Sequence, residues 1–410
     1  MSRRRARIVS NARLCDAALA CGLDEFIITT PFTGKGWRPL YVAGLNGTEP
    51  GGQSATRSVA RKTVADVVEA LIGAAWRMGA DPVALSVTRV LLPEMDLPSL
   101  EAARLRLLAA EPADEPASER LRLLQQLLGY SFRKTSLLVQ AMTHASDSQA
   151  HASYERLEFL GDAVLEMVVA RELERHGGHL APARLHAVRQ ALVNTDYLGF
   201  LALEWSLPQT RTDVTVDDSG RETARLAVEY QLCLGSFLGF GSEQVGHEQR
   251  ASMDRHAALR GPVLEALEKG PRYPWVQLAS LRPNKFLADV AESVLAAVWA
   301  DSGSLAACGE VAARMGMVRL LHRLVRDDVD AIHPKDELHQ LVGGDEVEFR
   351  VSEAEPRTGE CSCIIYINGG LVAEAINCRS VSEAKVKASD LGVAFVKAQG
   401  KPPRRASLEG

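Results

Sequence analysis

Apolar residues recur at i, i+3 and i+4 along most of the chain, with Ala, Leu, Glu and Arg filling the positions between, a pattern that predicts packed helices. Helices are expected over Ala60–Met78, Ser118–Gly129, Glu155–His176, Ala181–Trp205, Arg225–Phe240 and Asn284–Asp301. Pro98, Pro112 and Pro116 mark residues 97–120 as a helix followed by a linker. Residues 209–222 read as a polar loop turning at Asp217–Gly220, and 241–256 as a charged helical insertion. The texture changes after about Asp330. A short helix (PKDELHQLVG) precedes three strand-like runs (EVEFRVSEAEP, ECSCIIYING, LVAEAINCRS), with turn residues at Asn368–Gly370. A longer helix follows, with Ser380 or Ser382 as its N-cap. The expected fold class is therefore mainly α, closed by a small α-β-β-β-α domain.

One apolar phrase is written twice. VVEALIGAAW ends at Trp76 and VAESVLAAVW ends at Trp299. Extended backward, Lys62, Asp66, Glu69 and Trp76 repeat as Lys285, Asp289, Glu292 and Trp299, with the spacing K-x3-D-x2-E-x6-W in both. Repeated apolar positions and the two tryptophans serve helix packing. Two carboxylates one turn apart inside an apolar run need another reason.

Composition narrows the class. The chain has 410 residues, 46% hydrophobic and 24% charged, enough for several domains with real cores. A net charge of −5 gives no global sign of nucleic-acid binding, so any basic patch must be local. Seven scattered cysteines at 15, 21, 233, 308, 361, 363 and 378 are not a disulfide framework. Arg3–Arg5 are not followed by an apolar stretch of the kind a secretory signal has, and no run approaches a membrane span. An intracellular chain, cytoplasmic or nuclear, with no membrane partner, is the expectation.

Chemistry concentrates in SYERLEFLGDAVLEMVVA. Glu155, Glu158 and Asp162 fall at i, i+3 and i+7, on one face of one helix. Like charges stacked this way repel, and a solvated acidic face is the ordinary explanation. Asp289 and Glu292 offer a second such pair. Five converging carboxylates need a multivalent cation, and oxygen-only ligands suit Mg²⁺, with Mn²⁺ able to replace it. That is a constellation for metal-assisted phosphodiester hydrolysis.

ERLEFLGDAVL at 155–165 closely resembles the signature of the ribonuclease III family, and KFLADVAESVLAAVW resembles that family's second catalytic helix. The resemblance implies that Glu158, Asp162, Asp289 and Glu292 are metal-binding acids. Glu155 matches an extra signature glutamate that holds a second metal or orients RNA, and Lys285 a lysine that lies beside the acids in Dicer-type domains. Two such domains followed by helix, three strands and helix resemble the C-terminal part of a fungal Dicer-like protein. IVSNARLCDAALACGLDEFI and FTGKGWRPLY fit its first ribonuclease domain. In that family two domains form an internal pseudo-dimer, each site cutting one strand of a double-stranded RNA.

The match breaks in the first repeat. Aligning VSNARL (9–14) with VNTDYL (193–198) puts the signature glutamate 38 residues before Val193, an offset that falls upstream of Met1. Asp66 and Glu69 thus form an incomplete first site, and an N-terminal truncation is expected. The implied division is a partial first ribonuclease III domain at 1–96, a linker at 97–118, a complete second domain at 119–329 and a double-stranded RNA-binding-like domain at 331–400. In the last, Lys335, Lys385 and Lys387 are candidates for RNA contact, with His339 beside them. Ten Lys/Arg against eleven Asp/Glu over 331–405 oppose strong binding. Cys361, Cys363 and Cys378 with His333 or His339 lack a standard zinc spacing and read as a small-residue core. His144 reads as structural, and Gly161 as a place of close helix approach.

The resemblance implies a Dicer-like endoribonuclease that cuts double-stranded RNA into small RNAs in RNA silencing and antiviral defence, paired with a second copy or with a Dicer region N-terminal to this chain. A non-catalytic RNA-binding or scaffold protein and an inactive truncated remnant stay open as alternatives.

Overall fold

The computed structural model describes residues 6–27, 59–95, 97–113, 118–149, 152–216, 222–352 and 359–402. The chain divides into two compact units, Met1–Ala109 and Ala110–Gly410.

The first unit contains α1 (Asn11–Ala20), a 3-10 turn at Leu23–Phe26, α2 (Arg61–Leu91) and α3 (Leu100–Ala109). Ser10 caps α1 by accepting a hydrogen bond from the Arg13 amide. Leu14, Cys15, Ala17 and Ala18 pack against Val64, Ala65, Val68, Leu91 and Leu92. Helical geometry in α2 fails at Gly79 and Ala80, where Ala80 takes φ +53°. The helix expected to end at Met78 breaks there and then resumes. FTGKGWRPLY lies outside the described residues.

In the second unit, α4 (Glu119–Leu128), α5 (Thr135–Ala141) and α6 (Glu155–Gly177) lead into α7 (Pro182–Val193) and α8 (Thr195–Glu204). A single helix over Ala181–Trp205 was expected. Asn194 divides it, with extended backbone at φ −77°, ψ 147°. Its Oδ1 accepts from the Tyr197 amide, starting α8, while its Nδ2 donates to the Ala191 carbonyl at the end of α7. One amide satisfies orphan groups of both termini.

The largest correction follows. The residues expected as a polar loop (209–222) and a helix (225–240) form an antiparallel ribbon, β1 (Ser206–Val216) with β2 (Glu222–Cys233), in register from Ser206↔Cys233. Only a 3-10 turn at Leu234–Phe237 remains of the helix. Cross-strand pairing satisfies both backbones, and local helix propensity yields to it. The expected turn at Asp217–Gly220 lies outside the described residues. The charged insertion is one long helix, α9 (Glu243–Lys269).

After α10 (Trp275–Leu281), α11 (Lys285–Ser302) runs through the core of the unit. Most of its residues are buried, Leu287, Val290, Val294, Ala296 and Val298 among them, and its few charged side chains stand out against that apolar run. It packs on α6 and α8. At its end buried Asp301 accepts from the Tyr130 hydroxyl at 2.6 Å and the Lys134 amide at 2.8 Å, fixing the approach to α5. Helices α12 (Leu305–Arg314) and α13 (Met317–Arg326) close the helical part.

The final domain is α14 (Pro334–Val342), β3 (Val347–Val351), β4 (Cys361–Ile367), β5 (Gly370–Cys378) and α15 (Val381–Gln399), with the sheet antiparallel in the order β3-β4-β5. Ser380 is the N-cap of α15. Cys361, Cys363 and Cys378 are buried in the core with Leu338, Ile365 and Ala388. They join no metal-capable group among the described residues. Arg272 ties this domain to the helices through Glu337 and, at 3.7 Å, Asp390.

Candidate active site

Helices α6 and α11 cross at Gly161. A Cβ built there would lie 2.0 Å from the Glu292 carbonyl oxygen, so only glycine allows this approach. The crossing sets the carboxylates of the two helices against each other. Glu158, Asp289 and Glu292 each bring an oxygen within 4.8 Å of the others. Asp162, one turn further along α6, is close enough for its charge to act on Glu292. Glu155 stands exposed at the start of α6, its Oε2 accepting from the Ser153 hydroxyl at 3.3 Å.

The electrostatics show how crowded the acids are. Burial, followed by the charges of Asp289, Asp162 and Glu158, pushes the Glu292 carboxyl up to about 8. Burial also raises Asp289, which is 6% exposed, against the opposing pull of a hydrogen bond from Lys285. The Lys285 ammonium donates to Glu158 Oε1 at 2.8 Å and to Asp289 Oδ1, bridging the two helices. Burial works against that ammonium, but the bonds to Asp289 and Glu158 outweigh it and hold its pKa above the ordinary value.

Two contributors escaped sequence reasoning. Tyr154 is buried, and its hydroxyl donates to Asp289 Oδ2 at 3.4 Å. Its position directly before the signature is the one signal that could have pointed to it. His144 packs its ring against Tyr154 and Phe286, with centroids 5.7 and 5.8 Å apart, and its Nδ1 lies 2.9 Å from the Ser146 hydroxyl. The second is a basic cluster at the approach to α11. Arg255 donates to the carbonyls of Leu281 and Arg282, each at 3.0 Å, Arg282 to that of Arg379, and Arg379 to that of Ser280 at 3.2 Å. Burial and the charges of Arg379 and Arg282 hold Arg255 below its ordinary pKa. Arg282 stands three residues before Lys285, so proximity to the acid helix was the available clue.

The other sequence candidates have surroundings of their own. Lys62 pairs with Asp66 at 2.9 Å on the surface of α2, and Glu69 is exposed. Neither acid joins a metal-capable group among the described residues. Lys335 sits over the Phe349 ring at 5.6 Å, Lys385 is exposed, and Lys387 donates to Glu383 at 2.6 Å. His339 lies beside Phe349, with ring centroids 6.0 Å apart.

The family model for the ribonuclease III domain matches residues 1–78 and 155–303. Both copies of the repeated phrase fall within the match. Dicer-like protein 2 of Cryphonectria parasitica is 38% identical over 93% of this chain and 28% of its own length. Dicer-like protein 2 of Pyricularia oryzae is 40% identical over 85% of the chain and 24% of its own length. The chain thus spans about a quarter of the length of these relatives. Among solved structures, the nuclease domain of ribonuclease III from Campylobacter jejuni is 22% identical, covers 50% of this chain and 96% of its own, and has a TM-score of 0.30.

Proposed function

The chain belongs to the ribonuclease III family, and from that premise we propose that it is a divalent-metal-dependent endoribonuclease acting on double-stranded RNA, with its catalytic centre at Glu158, Asp162, Asp289 and Glu292. The observation that carries this is the trio Glu158, Asp289 and Glu292, drawn from two helices to within 4.8 Å of one another. The donor set fits a hard divalent cation. It offers carboxylate oxygens alone, and the Glu292 carboxyl, raised first by burial and then by the like charges around it, sits where a cation would relieve those charges. Mg²⁺ is the favoured ion and Mn²⁺ a substitute. When bound, it supplies neutralisation of phosphate charge and activation of water. Glu155, exposed at the start of α6, is the fifth acid of this proposal.

The chain's own residues prepare that site. Lys285 holds the Glu158 and Asp289 carboxylates toward each other, Tyr154 fixes the second oxygen of Asp289, and Gly161 sets the distance between the helices. Arg255, Arg282 and Arg379 gather positive charge around the carbonyls of residues 280–282 and 379, ahead of the start of α11, suited to RNA phosphates. We divide the chain into a partial first ribonuclease III domain at 1–96, a linker at 97–118, a complete second domain at 119–329 and a double-stranded RNA-binding-like domain at 331–400. Lys335 and Lys385 face solvent as phosphate contacts, while the charge of Lys387 is shared with Glu383. The relatives' name, Dicer-like protein 2, supports a Dicer-type role, and we extend it to RNA silencing and antiviral defence.

Incubating the full chain with end-labelled duplex RNA tests the reading. Cleavage in Mg²⁺ that disappears in chelator and in Glu158→Gln is expected. Equal cleavage by Glu158→Gln would overturn the assignment. Staggered cuts in both strands would indicate two complete domains acting together, as in a homodimer or with a partner Dicer region. Nicks in one strand would indicate a site acting alone.

A further inference from the structure

The far end of α6 carries a second metal-capable group with different donors. Glu172 and His176 stand one turn apart and share a helix face. His322 reaches them from α13, and the three side chains each bring one ligand atom within 4.8 Å of the others. Glu172 Oε2 lies 3.6 Å from His176 Nε2. The two imidazole rings are 4.2 Å apart between centroids. Glu172 Oε1 accepts from Arg175 Nη1 at 2.7 Å, which fixes the carboxylate with its other oxygen toward His176. His322 Nε2 is buried and makes no hydrogen bond. Burying a polar nitrogen without a partner costs stability, and nothing in the candidate nuclease chemistry uses it.

We propose that Glu172, His176 and His322 bind one zinc ion, tying α13 to the C-terminal turn of α6. Two imidazole nitrogens and one carboxylate oxygen suit a borderline transition-metal ion rather than Mg²⁺. Solvent completes a tetrahedral set. The ion satisfies the orphaned His322 nitrogen and replaces a costly buried atom with a bond. Ten helical residues, about 15 Å at 1.5 Å per residue, separate Glu172 from Asp162, so this site is independent of the acid cluster. Its role is to secure the end of the helix whose beginning carries Glu155 and Glu158.

Metal-stripped full chain, kept in excess Mg²⁺ to occupy the carboxylate site, is titrated with Co²⁺ and then Zn²⁺. One Co²⁺ per chain with the visible absorption of a tetrahedral site, displaced by Zn²⁺, is expected, together with a rise in Tm of about 2 °C or more. His322→Gln and Glu172→Gln should each weaken binding by more than about tenfold, whereas Asp289→Asn should retain it. Absence of the absorption, unchanged affinity in His322→Gln, or loss of the ion in Asp289→Asn would overturn the proposal. Should circular dichroism show that His322→Gln does not fold, exposed His176→Gln is read by the same criterion. Binding is measured without RNA, so failure of the proposed nuclease activity would leave this result standing, and the reverse also holds.

Discussion

Lys62, Asp66 and Glu69 on α2 and Lys285, Asp289 and Glu292 on α11 are the same side chains at the same spacing, and in both copies the lysine bonds the aspartate four residues on. On α2 that pair is a surface bridge, with Lys62 exposed and Asp66 half-buried, of a kind worth about 0–1 kcal/mol. On α11 the same lysine also reaches Glu158 on another helix, the aspartate is buried, and Glu292 is held protonated well into neutral pH. The same charged residues at the same spacing thus give an ordinary helix surface in one place and a crowded acidic centre in the other. The difference lies in what crosses the helix. At α11 a glycine lets α6 come down to van der Waals contact with the Glu292 backbone.

The strongest break of this comparison is at the acids. Asp289→Asn or Glu158→Gln should lower Mg²⁺-dependent cleavage by about 10³-fold or more while duplex binding stays nearly unchanged. Asp66→Asn and Glu69→Gln should leave cleavage by this chain within about twofold. Rates from labelled duplex, alongside a gel-shift titration, check both arms. Selective loss of one strand's cut in Asp66→Asn would show that α2 builds a working site after all.

Next comes the crossing itself. Gly161→Ala forces a Cβ into the Glu292 carbonyl and must part α6 from α11. A loss of roughly 2–4 kcal/mol in stability and about 10–100-fold in cleavage is expected, measured by denaturant melts and initial rates.

A third test uses the raised Glu292 carboxyl. Its pKa is about 8 in the folded chain against an ordinary 4.5. The native state therefore holds a proton that the unfolded state has released. Stability of metal-free protein should fall as pH rises between those values, by roughly 2–4 kcal/mol. Glu292→Gln should flatten that slope, and Mg²⁺ should restore stability at the alkaline end. Thermal melts in chelator across the range would show it, and an unchanged slope in Glu292→Gln would count against the crowding of these acids.

The smallest expected effect is at Gly73, which holds the place in α2 that buried Ala296 holds in α11. A Cβ at Gly73 meets nothing within 4 Å. Gly73→Ala should raise stability of the first unit by up to about 1 kcal/mol through helix propensity alone, with cleavage unaffected.

Much of this protein is legible along the chain because its information is local. The 3.6-residue period marks α6 and α11 almost to the residue, since each buries a continuous apolar face. Alternation and turn residues mark β3, β4 and β5 in the same way. The acids of α6 are also visible, because stacked like charges on one helix face are locally unfavourable and so conspicuous. What the chain could not reveal depends on partners far away in sequence. The ribbon β1–β2 looked like a loop and a helix because its strands are stabilised by each other's backbones rather than by their own period. Asn194 reads along the chain as a residue inside a helix, and only the fold lets its amide bond both sides of the break. Lys285 meets Glu158 across 127 residues, and Tyr154 meets Asp289 across 135. Sequence determined which side chains could carry charge. Only tertiary packing decided which of the two copies would be buried against a second set of acids, because desolvation and like-charge proximity are properties of the crossing and not of either helix.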